Sequence, residues 1–103
     1  MELTLLTVPD CANATTFEER LAAALADHPD VTLPRREISD EPTAAEAGMQ
    51  GSPTLLINGT DPFAMPGQAA SISCRIYRDD EGRAGPAPSV GALRRAIAAA
   101  GEA

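Results

Sequence analysis

Residues 54–58 read Thr-Leu-Leu-Ile-Asn, with Pro53 directly ahead of them. Successive side chains of a strand point to opposite faces, so a strand that is apolar at consecutive positions belongs inside a sheet covered on both. A proline cannot donate to a ladder, and at the head of such a run it marks a turn-to-strand junction. The run is therefore a central strand entered through a turn at Pro53, and the rest of the chain must supply its neighbours and its covering helices.

It does so in alternation. Residues 2–8, ELTLLTV, read as a first strand, which Pro9-Asp10 breaks, and Cys11 follows at once. A helix is expected next, because Thr15 with Glu18 and Thr16 with Glu19 have capping-box spacing, and Phe17, Leu21, Ala24 and Leu25 share a face. His28-Pro29 closes it, and the lone His28 reads as a cap that complements the helix dipole. Residues 31–38, VTLPRREI, form a second strand whose Pro34 restricts it to an edge. Residues 39–50 form a short helix, capped by Asp40 or Thr43 and closed near Gly48 or Gly51. After the loop 60–70, residues 71–77, SISCRIY, alternate as a strand with Ile72, Cys74 and Ile76 on one side. A last helix starts at Ser89 with Val90, Leu93 and Ile97 as its stripe. The order β-α-β-α-β-β-α predicts an α/β domain: a four-stranded mixed sheet in order 2-1-3-4, strands 1 and 2 parallel, flanked by helices.

Composition bounds the function classes. The 103 residues suffice for a single domain with a modest core, and with no Trp, one Tyr and two Phe that core is aliphatic. Every basic side chain is Arg, 8 against 15 acidic residues, and the net charge of -7 argues against nucleic acid or an anionic membrane as partner. The apolar run at the start is shorter than a signal-peptide core, and no stretch has the length of a membrane span, so the chain reads as cytoplasmic. Its two cysteines, Cys11 and Cys74, are then expected as free or redox-active thiols, and with the single His they lack the spacing of a metal site.

Three features together resemble the thioredoxin-like family at glutaredoxin size: the cysteine after the first strand in VPDCANA, the segment GMQGSPTLLING, and the element order from residue 2 to about 100. More narrowly, PDC, GSPTLLINGTDPF and SCRIYR resemble short bacterial thioredoxin-like proteins, some labelled alkylmercury-lyase-like. The resemblance implies a cis Pro53 facing Cys11. It also implies a main chain at Ser52, Pro53 and Thr54 that pairs with an extended thiol or disulfide substrate. The chain departs from the dithiol motif at Ala14, which stands where the second Cys of Cys-x-x-Cys belongs, and Asp10 precedes the cysteine where a mercury-lyase nucleophile has an Asp three residues on.

The residues leave several roles open. Cys11 is either a nucleophile, its thiolate favoured by the following helix N-terminus and opposed by Asp10, or a small buried apolar group. Cys74 is either a core residue or the resolving thiol that Ala14 cannot be. Arg75 and Arg78 are either solvated or hold an anionic group. The expected function is thiol–disulfide exchange at Cys11, with Cys74 the candidate resolving thiol, needing no metal or organic cofactor. The partner is a protein or small-molecule thiol or disulfide. The alternatives are a binding module on the same fold and an organomercurial or thiol detoxification enzyme.

Overall fold

The computed structural model describes residues 1–101, so the last two positions of the expected domain lie outside the described residues. In chain order the elements are β1 (Leu3–Thr7), α1 (Ala14–Ala24), β2 (Arg35–Glu37), α2 (Glu41–Ala47), β3 (Gln50–Ser52), β4 (Thr54–Ile57), β5 (Ser71–Cys74), β6 (Tyr77–Arg78), β7 (Ala84–Gly85) and α3 (Val90–Gly101). The main sheet is mixed and has three strands in the order β2-β1-β4. β1 runs parallel to β2, Leu5 opposite Arg35, and antiparallel to β4, Leu5 opposite Leu55. β1 is the central strand and β2 and β4 are the two edges, so the run at 54–57, expected as a central strand, is an edge strand because residues 71–77 do not pair with it. Pro34 sits just before β2, where its carbonyl accepts the Leu5 N–H at 2.9 Å. The expected strand 31–38 shortens to Arg35–Glu37, after the proline, which has no N–H to give to the ladder.

Both faces of the sheet are covered. On one, Leu3, Leu5, Leu55 and Ile57 pack with Phe17 and Leu21 of α1 and Leu93 and Ile97 of α3. On the other, Leu6 packs with Ile38, Ala44 and Met49 around α2. Each fully buried leucine or phenylalanine contributes about 1.5–3 kcal/mol by leaving water. Among the described residues, no helix is long and apolar enough to cross a membrane.

The helix starts differ from the capping-box reading in one case and match it in the other. α1 begins at Ala14 with Asn13 as its cap, and the Asn13 side chain makes no capping hydrogen bond. Thr15 and Thr16 therefore lie inside the first turn, because the Asn13 carbonyl already accepts the Phe17 N–H at 3.1 Å and winding starts ahead of them. For α2, the Asp40 carboxylate accepts the Thr43 N–H at 2.8 Å, and Gly48 closes the helix in the left-handed conformation at φ 74°.

Hydrogen bonding from Thr43, through its side chain and then its backbone, holds the Asp40 carboxyl below its usual value. A lowered carboxyl adds stability that is complete above its unfolded pKa of about 3.9 and disappears as pH falls through the folded one. We expect the Asp40 carboxyl to titrate below that value by NMR. In Asp40→Asn, which caps without titrating, the accompanying shift of the Thr43 amide is expected to vanish. An Asp40 midpoint at or above the free value would contradict the capping geometry.

The largest departure concerns residues 71–77. They do not extend the main sheet beyond β4, so the expected four-stranded sheet has three strands. β5 instead pairs in parallel with β3, Gln50 opposite Ser71 and Ser52 opposite Cys74, and β6 forms a hairpin with β7. Ile72 packs against the Leu6 cluster as its pattern predicts, but from Cys74 onward the alternation is out of phase with the sequence: Arg75 and Tyr77 are buried at 6% and 5% exposure, while Cys74 is exposed and Ile76 is 68% exposed. The physical reason is the environment beneath the segment. It offers hydrogen-bond acceptors for a guanidinium and an aromatic slot for a phenol, whereas an isoleucine there would leave those acceptors orphaned.

Candidate active site around Cys11

The chain turns sharply out of β1. Asp10 adopts φ 58°, and Cys11 follows it, two residues ahead of the α1 cap. This places the half-buried Cys11 thiol at the mouth of β4, whose Ser52–Pro53 peptide bond is cis. Ser52 Oγ donates to Cys11 Sγ at 3.1 Å and accepts the Val8 N–H at 3.0 Å. The serine is fully buried, so its hydroxyl is held between these two partners. The Val8 amide polarises it, and its proton points at sulfur. This contact fixes the Cys11 sulfur beside the Ser52–Pro53 bond.

Beneath this contact lies a polar network that local patterns did not anticipate. Arg75 donates to Asp61 Oδ2 at 2.7 Å, to Thr54 Oγ1 at 3.0 Å and to the Phe63 carbonyl at 2.7 Å. Its guanidinium lies 4.6 Å from the centre of the Tyr77 ring. Arg75 is thus neither solvated nor free to hold an external anion, the two roles the sequence offered; the Asp61 carboxylate takes its charge inside the protein. Thr54 passes the connection on by donating to the Gly51 carbonyl at 2.6 Å. Asp61 uses its other oxygen to accept the Phe63 N–H at 2.8 Å. Among the described residues, no buried side-chain polar atom lacks a partner.

Tyr77 ties the network to the loop. Its hydroxyl donates to the Pro53 carbonyl, and its ring meets Phe17 and Phe63 edge-on at 5.7 and 6.0 Å. Burial pushes the Tyr77 phenol far above its usual value, so the proton that holds Pro53 stays in place at every physiological pH. The one signal that could have revealed Arg75 and Tyr77 was the alternation itself. SISCRIY has two phases, and its second half, Arg75 and Tyr77, turns inward where an Asp-Pro-Phe turn supplies acceptors.

Ser52, Pro53 and Thr54 are all brought to Cys11 or to its supporting network. Their chemistry differs from strand addition in one respect. The Ser52 carbonyl already accepts the Arg75 N–H at 2.9 Å, because β5 lies along β3. Gly51 makes that approach workable. At φ 121° it adopts a backbone that side-chain-bearing residues rarely take, and a Cβ there would stand 2.9 Å from Arg75 Cβ and 3.1 Å from the Ser73 carbonyl.

Cys74 is the last residue of β5, directly opposite Ser52, and it borders a shallow pocket with Asn13 from the turn after Cys11. It is not a core cysteine. On its outer side it opens on a cleft of about 630 Å³ bordered by Phe63, Met65 and Ile76. Both cysteines are free thiols, and among the described residues no cluster of three His, Cys, Asp or Glu side chains could hold a metal ion. Comparison with family models, with curated proteins and with solved structures returns no match, which leaves the chemistry of these residues as the guide to function.

Proposed function

We propose that this protein is a thiol–disulfide exchange protein on a thioredoxin-like frame, with Cys11 as nucleophile and Cys74 as resolving thiol. The observation that carries this reading is the hydrogen bond from the buried Ser52 hydroxyl to Cys11 Sγ, 3.1 Å long, at the strand entry beside the α1 start. Support for the frame comes from the parallel β1–β2 pair, the antiparallel β1–β4 pair and the placement of Pro53 at the head of β4. Support for Cys74 comes from its position opposite Ser52.

The cycle balances without a metal or cofactor. The Cys11 thiolate attacks a disulfide R–S–S–R, forming Cys11–S–S–R and expelling RS⁻. The Cys74 thiolate then attacks the Cys11 sulfur, forming the Cys11–Cys74 disulfide and expelling the second RS⁻. Two electrons pass from the protein thiols to the substrate, and the two protons they lose go to the released thiolates. An external dithiol, or two equivalents of a small thiol, returns the protein to its reduced state.

The test sets reactivity against accessibility. Cys74 is the exposed thiol and Cys11 the half-buried one, so simple access favours labelling of Cys74. We expect limiting iodoacetamide at neutral pH to label Cys11 first, located by peptide mass spectrometry. Ser52→Ala is expected to reverse that order. Mild oxidation is expected to yield an intramolecular Cys11–Cys74 crosslink. Labelling of Cys74 first in the unaltered protein would sink the assignment.

A further inference from the structure

Resting on the exchange reading above, we propose that β5 is a built-in occupant of the β3 edge, which restricts Cys11 to low-molecular-weight disulfides and denies it extended polypeptides. A free strand edge beside a reactive thiol is a template for strand addition, since an extended chain gains affinity through its main chain there whatever its sequence. Here the template is used internally. Residues 71–74 lie parallel to residues 50–52, the Met49 carbonyl accepts the Ser71 N–H at 2.9 Å, and the Ser52 carbonyl accepts the Arg75 N–H at 2.9 Å.

Two further features hold the occupant down. The Arg75 side chain, one residue past β5, is buried and bonded to Asp61, Thr54 and Phe63, so lifting the strand would expose a charged pair and break its hydrogen bonds. Gly51 lets the two backbones meet at a distance that a Cβ would forbid. The residue set opposite Ser52 is Cys74, so the position beside the nucleophile that an incoming chain would fill already carries the protein's own second thiol. A small disulfide needs no main-chain pairing and only has to reach the half-buried Cys11 sulfur.

The test compares two substrates with one leaving group, in Cys74→Ser so that release reports Cys11 alone. One is dithiodipyridine; the other is a thiopyridine mixed disulfide with the internal cysteine of an extended peptide. Each rate is divided by that of a free small thiol with the same substrate. The expected result is a normalised peptide rate lower than the normalised small-disulfide rate by about tenfold or more, which corresponds to ~1.4 kcal/mol of discrimination. In the unaltered protein, the Arg75 N–H is expected to be protected from hydrogen exchange. Equal normalised rates, or an unprotected Arg75 amide, would overturn the occupied edge while leaving the chemistry of Cys11 intact. Failure of both substrates to release thiopyridone would overturn the exchange reading, and this inference with it.

Discussion

Cys11→Ser is expected to bring disulfide exchange down to the uncatalysed background, while Cys74→Ser is expected to release one thiopyridone per chain from dithiodipyridine and then stop. The asymmetry follows from the order of the two attacks. A serine hydroxyl at position 11 stays protonated at neutral pH, so the first sulfur–sulfur bond is never broken, however well Ser52 and the network beneath it are formed. Without Cys74 the first attack proceeds, but no second sulfur releases the mixed disulfide, because Ala14 stands where a local partner would be. Mass spectrometry of the stalled Cys74→Ser protein should then find one thiopyridine mass on the Cys11 peptide. Continued turnover by Cys74→Ser with no added thiol would remove Cys74 from the cycle. A Cys11→Ser variant that exchanges at the unaltered rate would move the chemistry to the exposed thiol.

The second large effect is on stability. Asp61→Ala leaves the Arg75 guanidinium buried, with the Thr54 hydroxyl and the Phe63 carbonyl as its remaining partners. Removing one partner of a buried pair costs ~3–5 kcal/mol, chiefly because the other charge stays desolvated. In a domain of this size, a loss of that order lowers Tm by more than about 10 °C. Replacing both members together, as Asp61→Leu with Arg75→Met, is expected to recover part of the loss: no charge is left buried alone, but the Phe63 amide and carbonyl lose their partners. Thermal melts of the single and double variants test this directly. If the single variant melted within a degree or two of the unaltered protein, the pair would be solvated rather than buried. Recovery of stability in the double variant need not restore exchange. The ion pair anchors the residue after Cys74, and without it β5 loses the tie that fixes its register along β3.

The sheet and its cover were legible from local patterns. β1 and β4 were readable because apolar residues at consecutive positions can only be accommodated with both faces covered, and Leu5, Leu6 and Leu55 are all fully buried. The edge position of β2 was readable because Pro34 cannot donate to an inner ladder. The α2 cap was readable because Asp40 has a backbone amide three residues on and Gly48 tolerates the left-handed turn. The cis bond at Pro53 and the approach of Cys11 to it followed from the motif they belong to, rather than from any periodicity.

What only the tertiary structure decided lies in residues 60–88. An alternating segment carries two possible inward faces, and its own sequence ranks them by hydrophobicity, which places Ile72, Cys74 and Ile76 inside. The choice belongs to the surface it lands on. Asp61, the Phe63 carbonyl and Thr54 present acceptors that an arginine satisfies and an isoleucine does not, and Phe17 and Phe63 form the slot that Tyr77 fills. Those partners lie between 12 and 60 positions away along the chain, so no local window contains the information. The same long-range pairing turned Cys74 outward, set it opposite Ser52 and closed the edge that the motif alone would have left open, because a buried arginine needs the acceptors that this placement supplies.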